Sequence, residues 1–390
     1  MNHDVETITC AASHNRRSTM LTNIKRTSAL TCRHKDLGGK FKEYIRMAVP
    51  MTYGTSSVEE EHDAVRHAAG LYDLTAFLKF YVRGKDACKA INHAMLNDIS
   101  KLTEGQSKYG PFLRDDGTIC DDGIVFNLGK DEYIVFHGDG CARKMVEASA
   151  QGLDAEIDVD DSVHLISLQG PKSCGILAPH TPSDLPALKY FRHVRTTLFG
   201  CPCVISRTGY SGERGYEIFA TPDTAPDIWD NILLYGKKDG VLPCALDSLF
   251  PLRMEAGLVW RRYDLMEQTP WEAGLGWAVN KNKEADYRGK DAVRAAEGME
   301  RFMLRGIEID INHALEGGEE LLVGDIRVGT VNGAPAYSSM LGKSLAWSRI
   351  VPLHAAIGTR LVVKRKDGSK CGAVIVPFPV YDPKKEKTRA

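Results

Sequence analysis

Between Arg207 and Phe219 the chain reads RTGYSGERGYEIF, and few folds accommodate such a stretch. Its two ends have strand character, and Gly209, Gly212 and Gly215 mark a sharp turn between them. A strand, a tight turn and a returning strand gather an arginine, two tyrosines and a glutamate about one loop. Glycine lets backbone approach a flat ligand, and the Glu217 carboxylate can accept two hydrogen bonds from a planar donor, so the loop is a candidate site. A dinucleotide-binding turn is set aside. The spacing is wrong for it, no long helical pattern follows, and no acidic residue stands at the required distance.

The rest of the chain alternates helical and extended patterns. Residues 1–34 mix Ser, Thr, Asn and Arg with few apolar positions and read as a mobile tail, in which Asp4 and Glu6 argue against an organelle transit peptide. Ser57, with Glu60 three residues on, caps a helix whose apolar face holds Val65, Ala68 and Ala69. A strand from Phe77 and a helix over Gly84 to Asn97 precede RDDGTICDDGIVF, a hairpin turning at Gly117. Side chains alternate along a strand, so Asp121 and Asp122 point to opposite sides, one available to a buried site and the other to solvent. VHLISLQGPKSCGIL is strand, turn and helix, and TPWEAGLGWAV places Glu272 and Trp277 about another glycine turn. Arg253 and Glu255 in LRMEAGL read as a structural ion pair outside the site, and His62 and His137 as structural or exposed. From Phe302 onward, short β runs between glycine turns imply a separate small barrel or sandwich, ending in a charged, solvated DPKKEKTRA. The division expected is therefore a tail at 1–34, an α+β region of two interleaved domains at 35–300, and a β domain at 301–390.

A chain of 390 residues exceeds what one core usually supports, and its 43% hydrophobic and 26% charged content is that of an ordinary globular protein. A formal net charge of -1 gives no electrostatic reason to expect nucleic acid or a membrane surface as partner. No apolar run approaches the roughly 20 residues of a membrane helix, so the protein is expected to be soluble, in cytoplasm or an organelle matrix. The ten cysteines lack CxxC pairing and read as reduced thiols. No two histidines have HxH or HxxxH spacing, which leaves no protein-built metal site in view.

Taken together, LGGKF with VEEEHDAVRHAAGLYDL, DDGIVF, LQGPKS, RTGYSGERGYEIF, LRMEAGL followed by YDL, TPWEAGLGWAV and YSSMLGKSLAW resemble the aminomethyltransferase, or glycine cleavage T-protein, family in family order. Relatives in that family demethylate small molecules onto tetrahydrofolate. The resemblance runs from about Lys25 to Pro383 and implies three α+β and β domains around a central folate channel. It implies Asp122 as the catalytic carboxylate, Glu217 as the hydrogen-bond acceptor for the pterin edge, Tyr210 in the family's turn, and Trp277 as an aromatic wall of the folate site. The chain also departs from the family. Ala76 and Phe77 stand where glycine-cleavage enzymes carry His-Met, His137 or Gly138 replaces an asparagine, and Leu246 or Leu249 replaces an arginine. The resemblance therefore implies a retained folate headgroup site with a changed donor side, where Phe77 packs a methyl group. A small N-, S- or O-methylated donor is expected. A lipoylated carrier protein is the rival donor. A non-catalytic folate-binding role in iron–sulfur maintenance is remote, because TEGQSKYG keeps only Gly105-Gln106 of that group's cysteine-containing motif.

Overall fold

A computed structural model describes residues 26–390 and places most of its strands in three sheets. The six-stranded sheet runs His193–Leu198, Cys201–Ser206, Gly215–Ala220, His164–Gln169, Ala69–Asp73 and Val241–Pro243; only the last pairing is parallel. The five-stranded antiparallel sheet runs Ser107–Leu113, Ile119–Gly129, Glu132–His137, Leu78–Arg83 and Glu156–Asp158. The chain crosses between these two sheets, so their sequences interleave.

Strand alternation explains why the sheets stack. On strand Gly215–Ala220, Tyr216 and Ile218 turn outward onto Ile228, Trp229 and Ile232 of helix Ala225–Gly236. On strand Ile119–Gly129, Val125 turns outward toward Ile91 and Val146 on the helices Ala87–Ala94 and Ala142–Ser149. The inward-facing set, Phe126, Phe136 and Phe219, meets between the sheets with ring centroids 4.6–5.7 Å apart. The result is helix, sheet, sheet, helix. Each buried phenylalanine contributes roughly 1.5–3 kcal/mol by leaving water, and the central layer they occupy is where the cavity described below opens.

Residues 303–376 close into a barrel. Strand Met303–Ile309 bonds to both Lys370–Val376 and Lys343–Ile350, completing a ring through Arg360–Lys364, Glu320–Val323 and Ile326–Val331. Closure leaves no open edge in that ring. Ile307, Leu321, Val363 and Ile375 fill its interior.

The Ser57 and Glu60 pair forms a reciprocal cap at helix Val58–His67. Replacing Ser57 with alanine is expected to cost about 1 kcal/mol, measurable as a lower denaturant midpoint with unchanged slope.

Several expectations are corrected. Within the expected tail, Arg26 donates to the Ala76 carbonyl at 2.7 Å, and Leu30 is fully buried beside helix Thr31–Asp36. The mobility expected of residues 1–25 lies outside the described residues. The helix expected over Gly84 to Asn97 spans Ala87–Ala94, because Met95 leaves it to bridge Phe112 and Lys283 Nζ takes the carbonyls of Asn92, Met95 and Asn97. The thiols are not all reduced: Cys120 and Cys141 form a disulfide. Nor is the DPKKEKTRA end simply solvated. The Arg207 guanidinium donates to the carbonyls of Thr388, at 2.9 Å, and Ala390.

Candidate functional site

A cavity of about 150 Å³ opens in the layer between the two sheets, walled by Phe77, Phe126, Phe136, Phe219, Tyr210 and Trp260. Asp122 and Glu217 also line it, one from each sheet. The sequence separates these carboxylates by a whole domain's worth of chain, and sheet stacking brings them to one chamber.

Asp122 reaches the cavity through a β-bulge. Phe112 pairs with Asp121 and Leu113 with Ile119, so Cys120 is an extra residue in the strand. Beyond the bulge, alternation sends Asp122, Ile124 and Phe126 inward. Tyr109, on the neighbouring strand, donates from its hydroxyl to Asp122 Oδ2 at 2.8 Å. Burial pushes the Asp122 pKa up to about 7, and the charge of Asp121 adds to the rise; Tyr109 and Arg261 oppose it. A carboxyl poised near neutrality can take up or give back a proton under ordinary conditions. Asp121 is not solvated as expected. It is fully buried behind the strand, where Oδ2 accepts from His137 Nδ1 at 2.8 Å and the Ala142 amide at 3.1 Å.

Glu217 sits on strand Gly215–Ala220, inward with Phe219. Thr208 Oγ1 donates to its Oε2, while Oε1 has no hydrogen-bond partner among the described residues. Burial raises its pKa, and the Thr208 bond works against that rise. An acceptor oxygen without a protein partner, facing a cavity with aromatic walls, is the arrangement that a flat ligand with an N–H edge requires.

The glycines of the 207–214 turn serve packing more than ligand approach. A Cβ on Gly209 would lie 2.0 Å from Gln169 Oε1, and one on Gly215 2.2 Å from the same atom. Gln169 in turn accepts from Ser211 Oγ at 2.9 Å, holding the turn closed. Gly209 still lines the cavity. Tyr210 lines it as well, and its hydroxyl donates to the Val259 carbonyl.

That bond fixes the 258–264 segment, which supplies Trp260. Trp260 stacks on Phe250 at 4.8 Å and donates its amide to Asp264 Oδ2 at 2.8 Å. Asp264 pairs with Arg253 at 2.7 Å, so Arg253 is not the partner of Glu255. Glu255 instead binds Arg66 at 2.6 Å and His62 at 3.0 Å. Leu249 lines the cavity, and Leu246 packs in the same central layer.

Phe77 lines the cavity, edge-on to Tyr44 at 6.1 Å. Trp277 does not line it. It is 65% exposed on the turn Gly276–Ala278, because Trp271 takes the inner side of that turn, against Gly276, and donates its Nε1 to the Val293 carbonyl. The tryptophan that lines the cavity is Trp260. Trp260→Ala is expected to weaken binding of a flat ring in the cavity about tenfold, from a loss of roughly 1–1.5 kcal/mol in aromatic contact, while Trp277→Ala leaves it unchanged; titration of both variants with a reduced pterin checks this.

Tyr109, Trp260 and Arg261 went unread in the sequence. Tyr109 was findable from the hairpin, since it sits two residues before Pro111, the residue opposite Asp122. Trp260 stands two residues after LRMEAGL. Among the described residues, no group of three or more His, Cys, Asp or Glu is placed to hold a metal ion, and no helix is long and apolar enough to cross a membrane.

Fold and site meet in one class of protein. Residues 30–283 match the GCVT N-terminal domain, and residues 303–382 match the glycine cleavage T-protein C-terminal barrel domain. The chain belongs to the glycine cleavage T-protein family of one-carbon-transferring enzymes. It is 38% identical to the heme-dependent oxidative N-demethylase gamma subunit of Ectopseudomonas mendocina, over 95% of this chain and 100% of that one. It is 36% identical to an aminomethyltransferase of Streptomyces coelicolor, over 92% and 98%. The crystal structure of the glycine cleavage system aminomethyltransferase T from Bartonella henselae shares the fold, with a TM-score of 0.84 at 24% identity, covering 92% of this chain and 98% of that one.

Proposed function

We propose that this protein transfers a one-carbon unit from a small methylated substrate, a methylated amine first among N-, S- and O-methyl donors, to tetrahydrofolate. The observation that carries the reading is the chamber shared by Asp122 and Glu217 between aromatic walls. Tetrahydrofolate, when bound, supplies the amine that receives the carbon. The cavity fits such a group on two counts: its walls suit a flat ring, and Glu217 Oε1 is left free to accept from an N–H edge. Phe77 and Phe136 would keep water from the donor's methyl group. Asp122, held by Tyr109, would steady positive charge that builds up beside it and hold the proton released. The name of the N-demethylase subunit favours an amine as the source of the carbon.

Similarity to the aminomethyltransferases keeps a second reading, a carrier-bound aminomethyl donor on a lipoylated protein. One experiment separates the two. The purified protein is mixed with tetrahydrofolate and a panel of methylated amines, sulfonium compounds and aryl ethers, and folate products are identified by mass spectrometry. Methyl-folate formed from a small methylated amine alone, with the demethylated amine released, is the expected result. Product that appears only when lipoylated carrier is added overturns it.

A further inference from the structure

Asp121 stands back to back with Asp122, and nothing in the proposed reaction uses it. Its carboxylate is fully buried and collects three donors: His137 Nδ1 at 2.8 Å, the Ala142 amide at 3.1 Å, and the amide of Asp122 itself at 3.0 Å. A group that only accepts is what an ionised carboxylate supplies. The space around it has no slack. A Cβ on Gly140 would lie 2.3 Å from Asp121 Cγ, so the loop carrying Gly138 and Asp139, both of which line the cavity, is folded onto this side chain. The Cys120–Cys141 bond spans the same two segments.

We propose that Asp121 is a positioning residue for the carboxyl of Asp122: it locks the bulge that aims Asp122 into the cavity, and its buried negative charge helps that carboxyl keep its proton. The inference rests on the reading of Asp122 as the reacting carboxylate but does not need the reaction to be observed. Other charged or titratable groups reach Asp122 from every neighbouring element. Tyr109 bonds it from strand Ser107–Leu113; His137 lines the same chamber from strand Glu132–His137 and bonds Asp121; Arg261 faces it from helix Arg261–Asp264, paired with Asp139 at 2.9 Å; and Tyr210 and Glu217 complete the lining. Among the groups that act on it most strongly, Asp121 is the one that raises the Asp122 pKa by its charge, whereas Tyr109 and Arg261 lower it. The two acids are neighbours on one rigid strand, and proximity of like charge in a poorly solvated setting favours the neutral form of one of them.

The test is an NMR titration of 13C-labelled aspartate carboxyls in the folate-free protein, with the Asp122 signal identified by its absence from Asp122→Asn. In Asp121→Asn, which preserves shape and removes charge, the Asp122 midpoint is expected to fall by about one pH unit or more, and the acid limb of the kcat/KM profile to move with it. An unchanged midpoint in a folded Asp121→Asn overturns the proposal, because a purely structural role would leave the titration alone. Should that variant fail to fold, His137→Gln keeps a neutral donor toward Asp121. There the Asp122 midpoint is expected to stay at or above its wild-type position, and a fall into the ordinary carboxylate range overturns the proposal. Because the midpoint is read without folate or donor, failure of the proposed reaction shows separately, as absent product with a normal titration.

Discussion

Asp122→Asn is expected to lower turnover by about 10²- to 10⁴-fold, the usual worth of a positioned acid-base group, with folate affinity unchanged. The asparagine keeps the size of the side chain and can still accept from Tyr109, so the folate chamber retains its shape. What is lost is the negative charge and the proton-accepting oxygen. The pH dependence carries the same signature. Burial and Asp121 bring the Asp122 pKa up to about 7, so in wild type kcat/KM should rise roughly tenfold per pH unit below that value and level off above it. Stability runs the other way. A carboxyl whose folded pKa exceeds its unfolded one stabilises the fold below the unfolded value, and that contribution is lost as pH rises through about 7. Asp122→Asn is therefore expected to melt at a higher temperature than wild type at pH 8 and at nearly the same temperature at pH 4. Calorimetry at the two pH values checks this. A variant that turns over normally would refute the role given to Asp122.

Glu217→Gln carries the second large effect, on binding. One carboxylate oxygen is held by Thr208 and the other faces the cavity, so the variant keeps the Thr208 contact and weakens the free acceptor. Hydrogen bonds to a charged group are worth about 1.5–3 kcal/mol, which predicts a folate dissociation constant raised roughly 10- to 100-fold. A contact made equally before and during reaction changes binding alone, so on the proposed reading turnover at saturating folate should stay near wild type. Calorimetric titration with tetrahydrofolate reads the first quantity and initial-rate kinetics the second. A loss of kcat with unchanged affinity would move Glu217 from binding to chemistry.

Much of the fold was legible because local rules and global packing agreed. The capping box at Ser57, the turn at Gly117 and the glycine-punctuated strands after Phe302 each follow from residue chemistry within a few positions, and each forms as expected. Asp122, Glu217, Tyr210 and Phe77 were singled out by comparison with the family motifs, and one cavity gathers all four. Where sequence reading failed, the deciding contact came from a distant segment. Trp277 and Trp260 both follow glycine-containing turns, and only the packing of Trp271 and Phe250 determines which indole turns inward. Arg253 and Glu255 are close in sequence, yet each finds a stronger partner elsewhere, in Asp264 and Arg66. The burial of Asp121 likewise depends on the Ala142 amide and His137, which lie beyond the hairpin.

The most direct measurement is a crystal structure of the protein soaked with a reduced folate. The expected result places the pterin between the aromatic walls, with its N–H edge on Glu217 and its reactive amine facing Asp122. A pterin found instead in the neighbouring cavity beyond Phe219, bounded by Tyr81 and Arg195, or ordered in the first cavity with both carboxylates turned away from the ring, would contradict it.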